Sequence, residues 1–210
     1  MSRIKNLKIS AITMTLLALT ILLMSGCTNE SEVQEVTNTE EVNEVIEHTV
    51  DPNPESLTEE DMELSLTGYG AEGALSDEEL SIMDMLTYAV QDEYLAHGEY
   101  LAIMDEFGTQ KPYSNIADSE ENHLAYLEEV YTSYGLDFPE DTSEGHVVMP
   151  EDLLEAAETG VKAEIDNIAM YEKFLSYELP DNVKKVFTAL MNGSESHLLA
   201  FEKQVDKLSD

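Results

Sequence analysis

SEENHLAYLEE, residues 119–129, sets Glu120 three residues before His123 inside a stretch of helical pattern. A carboxylate and an imidazole at that spacing share one side of a helical turn. Taken alone, the pair reads as well as a structural ion pair as half of a metal site, because short motifs recur by chance. Farther along, GSESHLLAFEK, residues 193–203, repeats the pattern. Aligned on His123 and His197, Glu121 meets Glu195, Leu124 meets Leu198 and Glu128 meets Glu202. A second echo links Glu93, followed seven residues on by Tyr100, to Glu164, followed seven residues on by Tyr171. An internal repeat of this kind is the mark of two related halves.

The elements around these motifs read as four helices. Ser76 with Glu79 has the form of a capping box, and Leu80, Met83, Leu86, Val90, Tyr94, His97 and Leu101 follow at helical spacing until Gly108 and Pro112 break the pattern. A second helix is expected over 113–134, stopped by Gly135. LDFPEDTSEGHVVMP, residues 136–150, is too long for a tight turn and reads as a crossover. A third helix is expected from about Pro150 to Glu178 and a fourth from beyond Pro180 to about Lys207, with Gly193 as a weak point inside it. Sustained alternation of apolar and polar residues is missing, so strands are not expected. The fold class is all-α, and one long connection between the second and third helices matches a ferritin-like four-helix bundle.

A carboxylate in a bundle core needs a paired charge or a metal. Glu93 lies beside Val90 and Tyr94; Glu164 is flanked by Val161, Ile165 and Ile168; Glu120 and His123 fall between Ile116 and Leu127; His197 sits among Leu190, Leu198 and Phe201. All five can face inward, where they would supply oxygen and imidazole donors suited to iron, manganese or zinc. His97, one turn beyond Glu93, is a further candidate. Tyr100 and Tyr171 read as core aromatics with a satisfied hydroxyl, or alternatively as donors to the ligands. His48 and His146 read as bystanders.

On DEYLAHGEY, NIADSEENH, the Glu164 helix and NGSESHLLAF, residues 76–206 resemble an uncharacterised ferritin-like family of archaeal and bacterial proteins, a domain of unknown function that is often exported. The resemblance implies a ferritin-like fold with a two-metal centre and no known reaction. The wider ferritin-like pattern takes one Glu from each of two helices and a Glu-x-x-His from each of the others. Carried over, Glu93 and Glu164 are the single carboxylates, Glu120 and His123 form one pair, and His197 is the histidine of the other. Ser194 stands where that second pair's Glu belongs, and Glu195 is about 100° around the helix from it. One metal is then expected, or two with Glu195 or a water completing the set.

The segments before the bundle are of other kinds. Residues 1–27 carry Arg3, Lys5 and Lys8, an apolar run over 11–24, and LMSGC ending on the one cysteine of the chain. This is the pattern of an exported protein's signal, and LMSGC resembles a lipobox that would place a lipid on Cys27. Such a chain is anchored to the cell membrane on its extracytoplasmic face. Residues 28–74 hold acidic side chains with no Lys or Arg and read as a disordered, self-repelling tether. Residues 75–210 form the helical domain.

The formal net charge of −35 excludes nucleic acid and an anionic membrane surface as partners. It fits either a saline habitat or the attraction of metal cations. Dimerisation through helix faces is compatible with the pattern. Two functions follow: a metal-dependent redox protein acting on iron or peroxide outside the cell, or a non-catalytic acidic surface module holding a structural ion or a protein partner.

Overall fold

A computed structural model describes residues 56–209. The expected signal with Cys27, His48 and most of the tether lie outside the described residues. Five α-helices follow in chain order: α1 (Gly70–Ser76), α2 (Ile82–Phe107), α3 (Tyr113–Ser133), α4 (Leu153–Phe174) and α5 (Asp181–Ser209). No strand occurs among them, so the all-α expectation is met. The four long helices form the bundle, with α2 packed along α3 and α4 along α5, and α1 lies across α2 and α4. The connection over 134–152 is long and carries one 3₁₀ turn, Ser143–Gly145. Among the described residues, no helix is long and apolar enough to cross a membrane.

Local chemistry explains where the helices begin and end. Ser81, and not Ser76, is the N-cap of α2: its hydroxyl accepts from the Asp84 N–H, and Asp84 Oδ2 accepts from the Ser81 N–H, both at 3.0 Å. Both serines fit the capping pattern, but Ser76 is already the last residue of α1, and Asp77 beyond it is extended. A short Gly- and Ala-rich helix was not visible as a periodic pattern. α3 closes in a Schellman motif, with Gly135 N–H bonded to Thr132 O and Leu136 N–H to Tyr131 O, each at 3.0 Å. Asp152 caps α4 through the N–H groups of Leu154 and Glu155. That helix therefore starts and ends inside the expected span, which ran from Pro150 to Glu178.

The boundary expected at residue 75 falls inside packed structure. Leu57 and Leu66 rest on the core, and Ala71 and Ala74 are part of it. Asp84, Tyr88 and Asp92 lie on one face of α2 at four-residue spacing. They accept in turn from the N–H groups of Ser65 (2.6 Å), Thr67 (3.0 Å) and Ala71 (2.7 Å). Lys173 of α4 completes the attachment by donating to Ala74 O at 2.8 Å. A ladder of acceptors on another element is invisible to a reading of composition, which registered only the acidity.

Two apolar clusters divide the interior. One gathers Leu86, Tyr131, Phe174, Phe187 and Leu190; the other gathers Tyr100, Tyr113, Ile116 and Phe201. Along every long helix the buried Glu and His residues fall between members of the two clusters: Glu93 between Val90 and Tyr100, and His197 between Leu190 and Phe201. The fold thus fixes a polar layer with an apolar seal on either side. Replacing Ser81 with Ala is expected to cost about 1 kcal/mol in urea unfolding, while Ser76→Ala at its exposed site stays within about 0.5 kcal/mol. Equal losses would contradict the cap assignment.

Candidate metal centre

Each long helix contributes to the polar layer: α2 gives Glu93, α3 gives Glu120 and His123, α4 gives Glu164, and α5 gives His197. The five residues are brought together in one cluster, and none is more than 7% exposed. His123 Nδ1 lies 2.8 Å from Glu120 Oε2 and 3.0 Å from Glu93 Oε2. His197 Nδ1 lies 3.2 Å from Glu120 Oε1 and 3.5 Å from Glu164 Oε1. Glu120 therefore spans both imidazoles, one oxygen to each, and the two rings stack with centroids 5.5 Å apart. One ligand atom from each of Glu120, His123 and His197 lies within 4.8 Å of the others.

The tyrosines of the sequence repeat serve both halves. Tyr171 of α4 donates to Glu93 Oε1 at 2.7 Å, and Tyr100 of α2 donates to Glu164 Oε1 at 3.0 Å. Each tyrosine thus holds the carboxylate of the helix opposite its own. Gly193, which looked like a weakness in α5, is where the α5 backbone meets the His123 ring. A Cβ there would sit 2.5 Å from Nε2.

The charges in this layer are set by burial and by one another. Burial pushes the Glu93 carboxyl up to about 8, although His123 pulls it down. Burial also raises Glu164. Burial acts to raise Glu120, but the two adjoining imidazoles outweigh it and hold that carboxyl well below the usual range. Burial acts to lower both histidines, and the surrounding carboxylates overcome it, so His123 is well above its ordinary value and His197 is raised to about 10. Without metal, protons on the imidazoles compensate the buried carboxylates.

The donor set fits a metal ion. His197 Nδ1 is buried and close to two carboxylate oxygens, yet it makes no hydrogen bond. Its contacts with Glu120 and Glu164 are ionic rather than directed hydrogen bonds, and on loss of its proton the lone pair is placed to face a cation instead. Three carboxylates and two imidazoles, with no sulfur, suit a divalent first-row metal.

Other candidates are placed elsewhere. His97 lies 3.4 Å from Glu121 and is outside the cluster. His146 is exposed and stacks on Tyr69, and Glu195 is exposed. Ser194 is buried and donates to Asn167 Oδ1 at 2.6 Å, and Asn167 Nδ2 donates in turn to Asp92 Oδ2. Asp92 and Asn167 were not singled out in the sequence, although Asn167 stands three residues beyond Glu164 on the same helical side.

Comparison with known proteins gives a family without an assigned activity. Residues 82–209 match the family model described as "Uncharacterized protein domain (DUF2202)". The chain is 28% identical, over 131 residues, to the uncharacterized protein MJ0754 of Methanocaldococcus jannaschii, an alignment covering 55% of this chain and 70% of that protein. The crystal structure of the hypothetical protein MJ0754 superposes with a TM-score of 0.55 at 21% identity, covering 64% of this chain and 86% of the other, which shows a shared fold.

Two measurements test the layer. An exposed helical Gly gains stability on replacement by Ala, but Gly193→Ala is expected to lose about 1–3 kcal/mol through overpacking against His123. Glu93 and His197 both have pKa values raised by folding, and such groups contribute stability at low pH that is lost as pH climbs through the folded value. Chelated protein should therefore melt at falling temperature between pH 4.5 and about 10. A melting temperature that rises across that window would contradict the charge assignment.

Proposed function

The chain belongs to the family of the uncharacterized protein domain DUF2202, and on that footing we propose that it is a ferritin-like metal-binding protein anchored to the outer face of the cell membrane. Glu93, Glu120, His123, Glu164 and His197 hold one or two transition-metal ions, iron or manganese. The observation that carries the reading is the buried His197 Nδ1, set among carboxylate oxygens with no hydrogen bond. A second support is the cross-bracing by Tyr100 and Tyr171, since ligand carboxylates that accept outer hydrogen bonds are held in orientation. The cluster Glu120, His123 and His197 has the spacing a metal ion requires.

A bound iron or manganese ion would supply one-electron chemistry toward iron or peroxide substrates. The protein's own part is to fix five donors, exclude bulk water with the two apolar clusters, and hold the carboxylates by tyrosine hydroxyls. Ser194 in place of a second bridging carboxylate favours a less symmetric centre than the wider ferritin-like pattern has. Membrane anchorage rests on the LMSGC sequence ending at Cys27 and on the basic, then apolar, residues before it. The acidic segment that follows would keep the domain clear of the lipid and draw cations toward it.

The full chain, purified without a metal-binding tag from cells grown with iron and manganese, is to be assayed for metal by mass spectrometry. One or two equivalents are expected in the wild type and in Glu195→Ala, with loss in His123→Ala and in His197→Ala. A folded protein that takes up neither metal on titration, or one whose metal survives both histidine changes, rules the site out.

A further inference from the structure

On α5 the place of a second bridging carboxylate belongs to Ser194, a side chain two atoms shorter than the Glu it replaces would reach. The space left over persists as a cavity of about 20 Å³, bordered by Glu93, Glu120, Glu164, Asn167, Ser194 and Asp92. That volume holds about one water. Its lining is rich in acceptors. The Ser194 hydroxyl proton is directed to Asn167 Oδ1, leaving lone pairs on the Ser194 oxygen. Asn167 gives a side-chain N–H to Asp92. The carboxylates of Glu93, Glu120 and Glu164 complete the walls. The hydroxyl protons on its walls, from Tyr100 and Ser194, are already given to Glu164 and Asn167, so an anion finds few donors here, whereas a neutral O–H donor finds acceptors on several sides.

The cavity also has a neighbour. Asp92 and Ala163 line both it and an outer pocket of about 750 Å³ between α1, α2, α4 and the crossover, walled by Glu72, Glu99, His146 and Lys162 among others. Asp92 is fixed in this dividing position by the Ala71 N–H on one oxygen and by Asn167 on the other. The chain Asp92–Asn167–Ser194 therefore runs from the outer pocket to the vacated ligand position.

We propose that the cavity beside Ser194 is an exchangeable-ligand subsite of the metal centre, which takes water or a comparably small neutral O–H donor in preference to an anion, and that it fills from the outer pocket past Asp92 and Ala163. The inference rests on the metal-binding reading above. Ser194 and Asn167 are positioning residues for that ligand, and Ala163 is the side chain whose small size keeps the passage open.

The test uses the full chain loaded with Mn(II), with bound manganese counted and the water-proton relaxation rate measured on the same sample. Inner-sphere water in exchange with bulk raises that rate well above the value for a buried, closed ion. The wild type is expected to show this enhancement and to keep it when azide is added. Ser194→Val fills the cavity with methyl groups, and Ala163→Leu narrows the passage. In each, the enhancement per bound manganese is expected to fall at least several-fold. Circular dichroism confirms that the variants fold, and Ala163→Leu at its half-buried position decides the matter if Ser194→Val does not. Manganese bound without enhancement in the wild type overturns the subsite while leaving the metal centre intact. So does full enhancement in the folded variants, or its removal by azide. A wild type that binds no manganese instead defeats the metal reading itself, together with this one.

Discussion

Removing a carboxylate from water costs several kcal/mol unless nearby charges and hydrogen bonds offset it, and Glu93, Glu120 and Glu164 place three such groups in the same layer of the bundle interior. Glu120 is the member on which the others turn. Its two oxygens reach His123 and His197 on different helices, so α3 and α5 are tied through one side chain. Glu93 and Glu164 then pair with the same Nδ1 atoms of His123 and His197 that Glu120 meets. Any change in the charge of the layer, by proton or by metal, is felt by all four long helices at once.

The remainder of the structure holds that layer in place. Tyr100 and Tyr171 reach across from α2 to α4 and from α4 to α2, so neither helix can slide without breaking a buried hydrogen bond. Apolar clusters above and below limit access by water and raise the strength of every electrostatic contact between them. Gly193 permits the α5 backbone to close on the His123 ring.

The two halves of the bundle are alike in plan and unequal in detail. On α3 a Glu precedes the histidine by three residues; on α5 a Ser does, and its hydroxyl is committed to Asn167 rather than to the centre. The asymmetry leaves a small cavity beside Ser194, and Asp92 and Ala163 of its lining also border the pocket formed with the crossover and the segment before α2. That segment, attached along Asp84, Tyr88 and Asp92, forms one wall of the outer pocket. A stretch rich in acid therefore contributes to the domain's interior surface as well as to its charge.

The sequence by itself determined the helical class, the long connection before α4, and the five residues that meet in the polar layer. Those features are local or periodic: apolar spacing repeats every three to four residues, and a carboxylate embedded in such a stripe must face inward. Only the tertiary structure decided which serine caps α2, because Ser76 and Ser81 carry equivalent local signals and the packing of α1 chose between them. It alone decided that the segment over 57–76 packs on the bundle, with Leu57, Leu66, Ala71 and Ala74 at the core, since its partners are acceptors on a helix that follows it in sequence. The roles of Gly193, Asp92 and Asn167 were likewise settled by approach between helices far apart in the chain. Periodicity fixes which way a side chain faces; what it meets there depends on how the helices are brought together.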